Sequence, residues 1–172
     1  KLGEAIEACN KALSLKPEYI KTYNNMGLAL MAQGKLTDAI KAYRKALTIN
    51  PKYAEVYNNM GNALKEQGKL EEAIKTYKTG IVVQPSNAET YSNLGSALKE
   101  QGKLEEAMEA YKEALIIEPS SAAANFNLGL TLLNVGNLKE GLDKYEWRWK
   151  IDPLLSKNRY FSQPMWDGKT SL

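Results

Sequence analysis

Histidine is absent from this 172-residue sequence, and cysteine occurs once, as Cys9. Those two shortages together remove internal disulfides, Cys/His zinc sites, Ser-His triads and Cys-His nucleophiles. No apolar run approaches the roughly 18–20 residues that span a bilayer, so no membrane span is expected. Charge of one sign is scarce as well. The 23 basic and 20 acidic residues leave +3, too little to argue for nucleic acid or anionic lipid as a partner. The chain opens Lys1-Leu2-Gly3-Glu4, unlike a signal peptide or a natural start, and we expect a fragment of something longer. A lone thiol suits a reducing compartment, which points to the cytoplasm. What remains, 44% hydrophobic and 25% charged residues, is enough apolar surface for a core.

The sequence is dominated by self-similarity. Five of the six prolines, Pro17, Pro51, Pro85, Pro119 and Pro153, recur at a 34-residue step. Eight of the twelve glycines fall in two columns with the same step: Gly27, Gly61, Gly95, Gly129 and Gly34, Gly68, Gly102, Gly136. Tyr43, Tyr77, Tyr111 and Tyr145 form a third column, and Tyr23, Tyr57 and Tyr91 a fourth. A fixed period in this range signals an array of stacked supersecondary units.

Within a unit, Tyr23, Met26, Gly27 and Leu30 recur at helical spacing, as do Leu36, Ala39, Ile40, Tyr43, Ala46 and Leu47 after Gly34. Each unit is therefore predicted to be two amphipathic helices. Gly34 and its equivalents supply the turn between them, and the proline column stops the second helix. Ser86-Asn87 and Ser120-Ser121 offer N-caps for the next helix. A glycine inside the first helix costs about 1 kcal/mol relative to alanine, so its recurrence suggests close helix approach. Two short helices cannot cover their apolar faces alone, but stacked copies can. The expected fold is an all-α, right-handed solenoid of antiparallel helix pairs.

Tyr57, Met60-Gly61, Gly68, Ala73, Tyr77 and Pro85 resemble the tetratricopeptide repeat pattern, with Gly80 where its second small alanine would stand. The resemblance runs over roughly residues 1–155. The units read 20–53, 54–87, 88–121 and a terminal 122–155, preceded by 1–19 as the second helix of a truncated unit. Residues 156–172 read as a capping tail or a linker to a downstream domain. Gly141 and Arg148 depart from the small-residue columns, marking the array's end, where Trp147, Trp149, Tyr160, Phe161 and Trp166 are expected to cover the last helix pair.

At 100° per residue, Lys21, Asn25, Leu28 and Ala32 point away from the Tyr23 stripe. Carried forward, that face reads Glu55, Asn59, Asn62, Glu66; then Glu89, Asn93, Ser96, Glu100; then Ala123, Asn127, Leu130, Asn134. Only the column Asn25, Asn59, Asn93, Asn127 never changes. Each carboxamide can donate to and accept from a peptide group. The resemblance implies that first helices line a concave surface where an extended ligand runs, which would place these asparagines in the groove. Discrimination would then fall to Lys21, Asn24, Glu55, Asn58, Lys65, Glu66, Glu89, Lys99 and Glu100. Alanine at Asn59 and Asn93 is expected to weaken binding with little loss of thermal stability.

The stretches 59–68 and 93–102 are also similar to the repeats of O-linked N-acetylglucosamine transferases, in which an asparagine ladder holds the protein substrate. The segment Tyr145 to Lys150, followed by Pro164 to Gly168, is similar to a junction between repeats and a glycosyltransferase-like domain. The expected function is a non-catalytic scaffold for an extended protein or peptide segment, with no cofactor and no metal. Two alternatives are a substrate-recruiting arm of a larger glycosyltransferase and a self-association module, the latter through Ile6 and Leu13 on the truncated unit. Glu71-Glu72 and Glu105-Glu106 are paired carboxylates, but they open helices where acids favour the dipole. The glycines lack P-loop spacing, and the row Lys35, Lys69, Lys103 is too short to track phosphates. Cys9 aligns with the tyrosine column and reads as a core residue.

Overall fold

A computed structural model describes residues 1–151, and among them the regular elements are helices. They are α1 (Leu2–Leu15), α2 (Ile20–Ala32), α3 (Leu36–Ile49), α4 (Ala54–Glu66), α5 (Leu70–Val83), α6 (Ala88–Glu100), α7 (Leu104–Ile117), α8 (Ala122–Asn134), α9 (Leu138–Tyr145) and α10 (Arg148–Ile151). Helices α2/α3, α4/α5, α6/α7 and α8/α9 pair as hairpins, and each hairpin stacks on the next, with α1 against α2. This is an α-solenoid.

The hairpin turn follows from one backbone requirement. Gly34, Gly68, Gly102 and Gly136 have φ of +73°, +80°, +84° and +84°, a region that residues with a Cβ avoid. The left-handed residue lets the next amide turn back: Lys35, Lys69, Lys103 and Asn137 donate to the carbonyls of Leu30, Leu64, Leu98 and Leu132, each at 2.9 Å. These are Schellman closures of the first helix. At the opposite end, Asn87 caps α6 by accepting from the Thr90 amide at 3.1 Å, whereas Ser121 makes no side-chain cap.

The helical glycines serve packing. A Cβ on Gly95 would lie 2.7 Å from Cε1 of Tyr111, and Gly27 and Gly61 face Tyr43 and Tyr77 in the same way. Those three rings are 0% exposed. An aromatic side chain buries on the order of 200 Å², worth up to roughly 5 kcal/mol. That outweighs the ~1 kcal/mol glycine penalty. Alanines 39, 73 and 107, each 0% exposed, admit the facing helix in the same hairpins.

Stacking is asymmetric. Helices α2, α4, α6 and α8 touch one another in succession, while α3, α5 and α7 contact chiefly their hairpin partner and the first helix of the next unit. The first helices thus form the shorter, inner layer and the second helices the outer one. The hairpin α8/α9 departs from the pattern: α9 runs only 8 residues. Past Tyr145 the chain tightens, with Trp147 N–H donating to Lys144 O at 3.2 Å and the Arg148 guanidinium reaching back to Tyr145 O at 3.3 Å. Here Gly129 meets the backbone of Lys144 and Tyr145 directly. Tyr160, Phe161 and Trp166, expected in a cap, lie outside the described residues. On α1, Ile6 packs against the core and Leu13 is half-buried, so the exposed large apolar residues there are Leu2 and Leu15 instead.

Gly61→Ala should lower stability by about 1–3 kcal/mol, because the added methyl overpacks against the Tyr77 ring. Gly3→Ala, with nothing within 4 Å of its new Cβ, should be neutral or slightly stabilising. Urea denaturation of both variants reads the difference.

Candidate functional site

The inner layer carries the face opposite the tyrosine stripe. Lys21, Asn25, Glu55, Glu66, Glu89 and Glu100 are exposed on it, and Asn59, Asn62, Lys65, Asn93, Lys99 and Asn127 are half-buried. The four asparagines of the invariant column therefore lie on one side of four successive helices, α2, α4, α6 and α8. Sequence reasoning also assigned Asn24 and Asn58 to ligand discrimination on this surface. The structure corrects that: they are 3% and 4% exposed, wedged between units.

Their burial is explained by what they bind. Asn24 Nδ2 donates to Glu55 Oε1 at 3.0 Å, and Asn24 Oδ1 accepts from Asn59 Nδ2 at 3.0 Å. One turn of the array later the arrangement repeats: Asn58 Nδ2 donates to Glu89 Oε1 at 3.1 Å, and Asn58 Oδ1 accepts from Asn93 Nδ2 at 2.9 Å. Each wedge thus ties together an i, i+4 pair on the first helix of the following unit. Buried carboxamides persist because both of their ends are satisfied. Single-helix geometry could not find this, since the partners sit 31 and 35 residues away. A signal was nevertheless present in the columns: where asparagine gives way to Ser92, glutamate gives way to Ala123.

A second set of contacts shapes the floor. Tyr77 Oη donates to Asn62 Oδ1 at 2.6 Å, and Lys65 Nζ donates to Ser96 Oγ at 3.2 Å across the unit boundary. Burial pushes the Tyr77 phenol up, with the Glu89 and Glu100 carboxylates adding to the effect. Burial likewise raises Tyr43, with Glu55 contributing, although its buried hydroxyl, unlike that of Tyr77, has no hydrogen-bond partner among the described residues. Lys99 moves down, first through desolvation and then through the like charge of Lys65, with Glu100 opposing. Cys9, expected in the core, is half-buried, and burial raises its thiol.

The inner face ends in a different chemistry. Asn125, in the column that holds tyrosine elsewhere, donates to Pro119 O at 3.1 Å and Ser121 O at 3.0 Å, as Tyr57 Oη donates to Pro51 O at 3.1 Å. Lys144 closes the set by donating to Asn125 Oδ1 at 2.7 Å. Phe126 stacks on Tyr145 at 5.4 Å, and Arg148 lies 4.4 Å over the Tyr145 ring and 4.3 Å over Trp149. Among the described residues there is no cluster of three His, Cys, Asp or Glu able to hold a metal, and no helix long and apolar enough to cross a membrane.

The sequence model of the TPR repeat matches residues 1–34, 27–68, 61–102 and 95–136. No curated protein matches the sequence significantly. Among solved structures, a crystal structure of MamA superposes with a TM-score of 0.80 at 25% identity over 91% of each chain. MamA 41-end from Desulfovibrio magneticus RS-1 gives 0.74 at 20% identity, covering 91% of this chain and 87% of that one. YrrB, a TPR protein with an unusual peptide-binding site, gives 0.71 at 21% identity, covering 92% and 84%.

Asn58→Ala removes a donor to Glu89 and an acceptor for Asn93 at once, and should cost about 1–3 kcal/mol. Ser92→Ala, in the same column but without such bonds, should stay within about 0.5 kcal/mol of the parent. Paired thermal melts decide between them.

Proposed function

The chain belongs to the TPR repeat family, and from that premise we propose that its inner face is a non-catalytic binding groove for an extended protein or peptide segment, gripped through main-chain hydrogen bonds to Asn25, Asn59, Asn93 and Asn127. The observation that carries this reading is the recurrence of one carboxamide per unit on the inner layer, at exposed or half-buried positions. Successive first helices lie on the order of 10 Å apart, while extended chain advances ~3.3–3.6 Å per residue, so one rung meets roughly every third ligand residue. Contacts to main chain give grip without strong sequence preference. Lys21, Glu55, Asn62, Lys65, Glu66, Glu89, Lys99 and Glu100 surround the rungs and supply discrimination, with Asn24 and Asn58 acting from beneath. The peptide-binding site of YrrB is a property of that protein, and it supports the reading only as a precedent on the same fold.

A narrower version makes the groove the substrate-recruiting arm of a glycosyltransferase in the cytoplasm. The asparagine column and the stretches 59–68 and 93–102 favour it, through their similarity to O-linked N-acetylglucosamine transferase repeats. Sequencing the parent gene beyond the codon for Leu172 tests that version, and an unrelated downstream domain rules it out.

The general reading is tested on an array of synthetic 12-residue peptides of random sequence. A subset should bind, and Asn59→Ala with Asn93→Ala should weaken the binders by about fivefold per rung, corresponding to ~1 kcal/mol for each hydrogen-bonding side chain lost. Because Asn59 and Asn93 also bond to Asn24 and Asn58, a moderate stability loss accompanies the change. Asn25→Ala, without such a bond, should leave the melting temperature unchanged. An array on which no peptide binds, or binders indifferent to all four rungs, rules the groove out.

A further inference from the structure

The four rungs are not equivalent. Asn59 and Asn93 each commit one N–H to a buried asparagine of the preceding unit, at 3.0 and 2.9 Å. That bond fixes the carboxamide plane and leaves a second N–H and the carbonyl oxygen for a ligand. The same buried asparagine also holds Glu55 or Glu89 one turn earlier on the same helix, at 3.0 and 3.1 Å. Asn127 stands in the same column with neither support. Its would-be wedge is Ser92, whose hydroxyl is shorter than a carboxamide, and the would-be carboxylate is Ala123. Among the described residues neither Asn127 nor Asn25 makes a side-chain hydrogen bond.

Resting on the groove reading above, we infer that Asn24 and Asn58 are positioning residues: although buried, they pre-set the carboxamides of Asn59 and Asn93, so these two rungs grip a bound segment more tightly than Asn127 does. A freely rotating carboxamide gives up rotamer freedom when it engages a ligand, at about 0.5–1.5 kcal/mol per immobilised side chain. A braced one has already lost that freedom on folding. Units 54–87 and 88–121 therefore hold a segment more tightly than unit 122–155, where Ser92 and Ala123 replace the brace. Unit 122–155 then acts as a lower-affinity extension that admits more varied chain. The brace also sets the side from which ligand approaches each central rung, since one N–H of each already points back along the solenoid.

The sequence itself suggests how to install a third brace. Ser92→Asn with Ala123→Glu copies the Asn58/Glu89 arrangement onto Asn127. In the full 172-residue protein this double variant should tighten binding of an array-selected 12-residue peptide by about 3- to 10-fold, the equivalent of the rotamer freedom removed. Asn127→Ala should then cost more in the Ser92→Asn, Ala123→Glu background than in the parent. A brace that merely stabilises the fold would raise the melting temperature without that coupling. Side-chain ¹⁵N relaxation supplies a ligand-free reading: the Nδ2 groups of Asn59 and Asn93 should be rigid and those of Asn25 and Asn127 mobile, with Asn127 becoming rigid in the double variant. Equal mobility at all four, or peptide binding unchanged in the double variant, overturns the inference while leaving the groove intact. Absence of any binding peptide overturns the groove reading and this inference with it.

Discussion

A tyrosine ring lying on a bare glycine holds three successive hairpins together. In α2/α3, α4/α5 and α6/α7 the ring of Tyr43, Tyr77 or Tyr111 occupies the space that a Cβ on Gly27, Gly61 or Gly95 would need. Close approach follows, and so does the direction of everything else. With that contact fixing the core side of the first helix, residues half a turn away face outward, and translation by one unit repeats them along the inner layer. The positive-φ glycine at each turn then determines where the second helix starts. The polar face of the inner layer is thus a by-product of how the hairpin closes.

Where the tyrosine–glycine contact changes, the array changes too. At Gly129 the neighbour is backbone of Lys144 and Tyr145 instead of a ring, and Gly141 sits against Leu133. The two helices approach more closely still, and α9 stops after 8 residues. Asn125 replaces the column tyrosine while still bonding to the proline-turn carbonyl, and the space is used by Phe126 and by Lys144 reaching in from α9. The resulting surface of stacked Tyr145, Arg148 and Trp149 is chemically unlike the sides of the inner units.

Much of this was legible because the 34-residue period writes the same physical requirement several times. The glycine turn, the proline stop and the pairing of helical glycine with a later tyrosine each recur as a column, and a column separates a constraint from an accident. The wedge of Asn24 and Asn58 was not legible by the same route. On a wheel drawn for one helix these residues border the exposed stripe, next to Asn25 and Asn59, and nothing local says that the following unit covers them. Their partners lie on the next first helix, so the relevant pattern is a relation between columns. The shortened α9 was hidden for a related reason: Gly141 and Arg148 flagged a departure, but its form depends on backbone contacts that no side-chain pattern records.

Placing buried polar groups under a polar surface has an energetic logic. An apolar contact between adjacent first helices would stabilise the stack as well, since a satisfied buried carboxamide gains only about 1 kcal/mol per hydrogen bond net. Leucine in place of Asn24 and Asn58 could pack the boundary, but it would leave Glu55, Asn59, Glu89 and Asn93 to solvent and to their own rotamers. Directional bonds do what dispersion cannot: they specify the orientation of a neighbouring polar group as well as its distance. The stability given up at the boundary reappears as order on the surface above it. The absence of this device at Ser92 and Ala123 shows that stacking alone does not require it, since α8 packs on α6 and α7 without it. A feature that recurs at two unit boundaries and is omitted at the next is not explained by stacking alone.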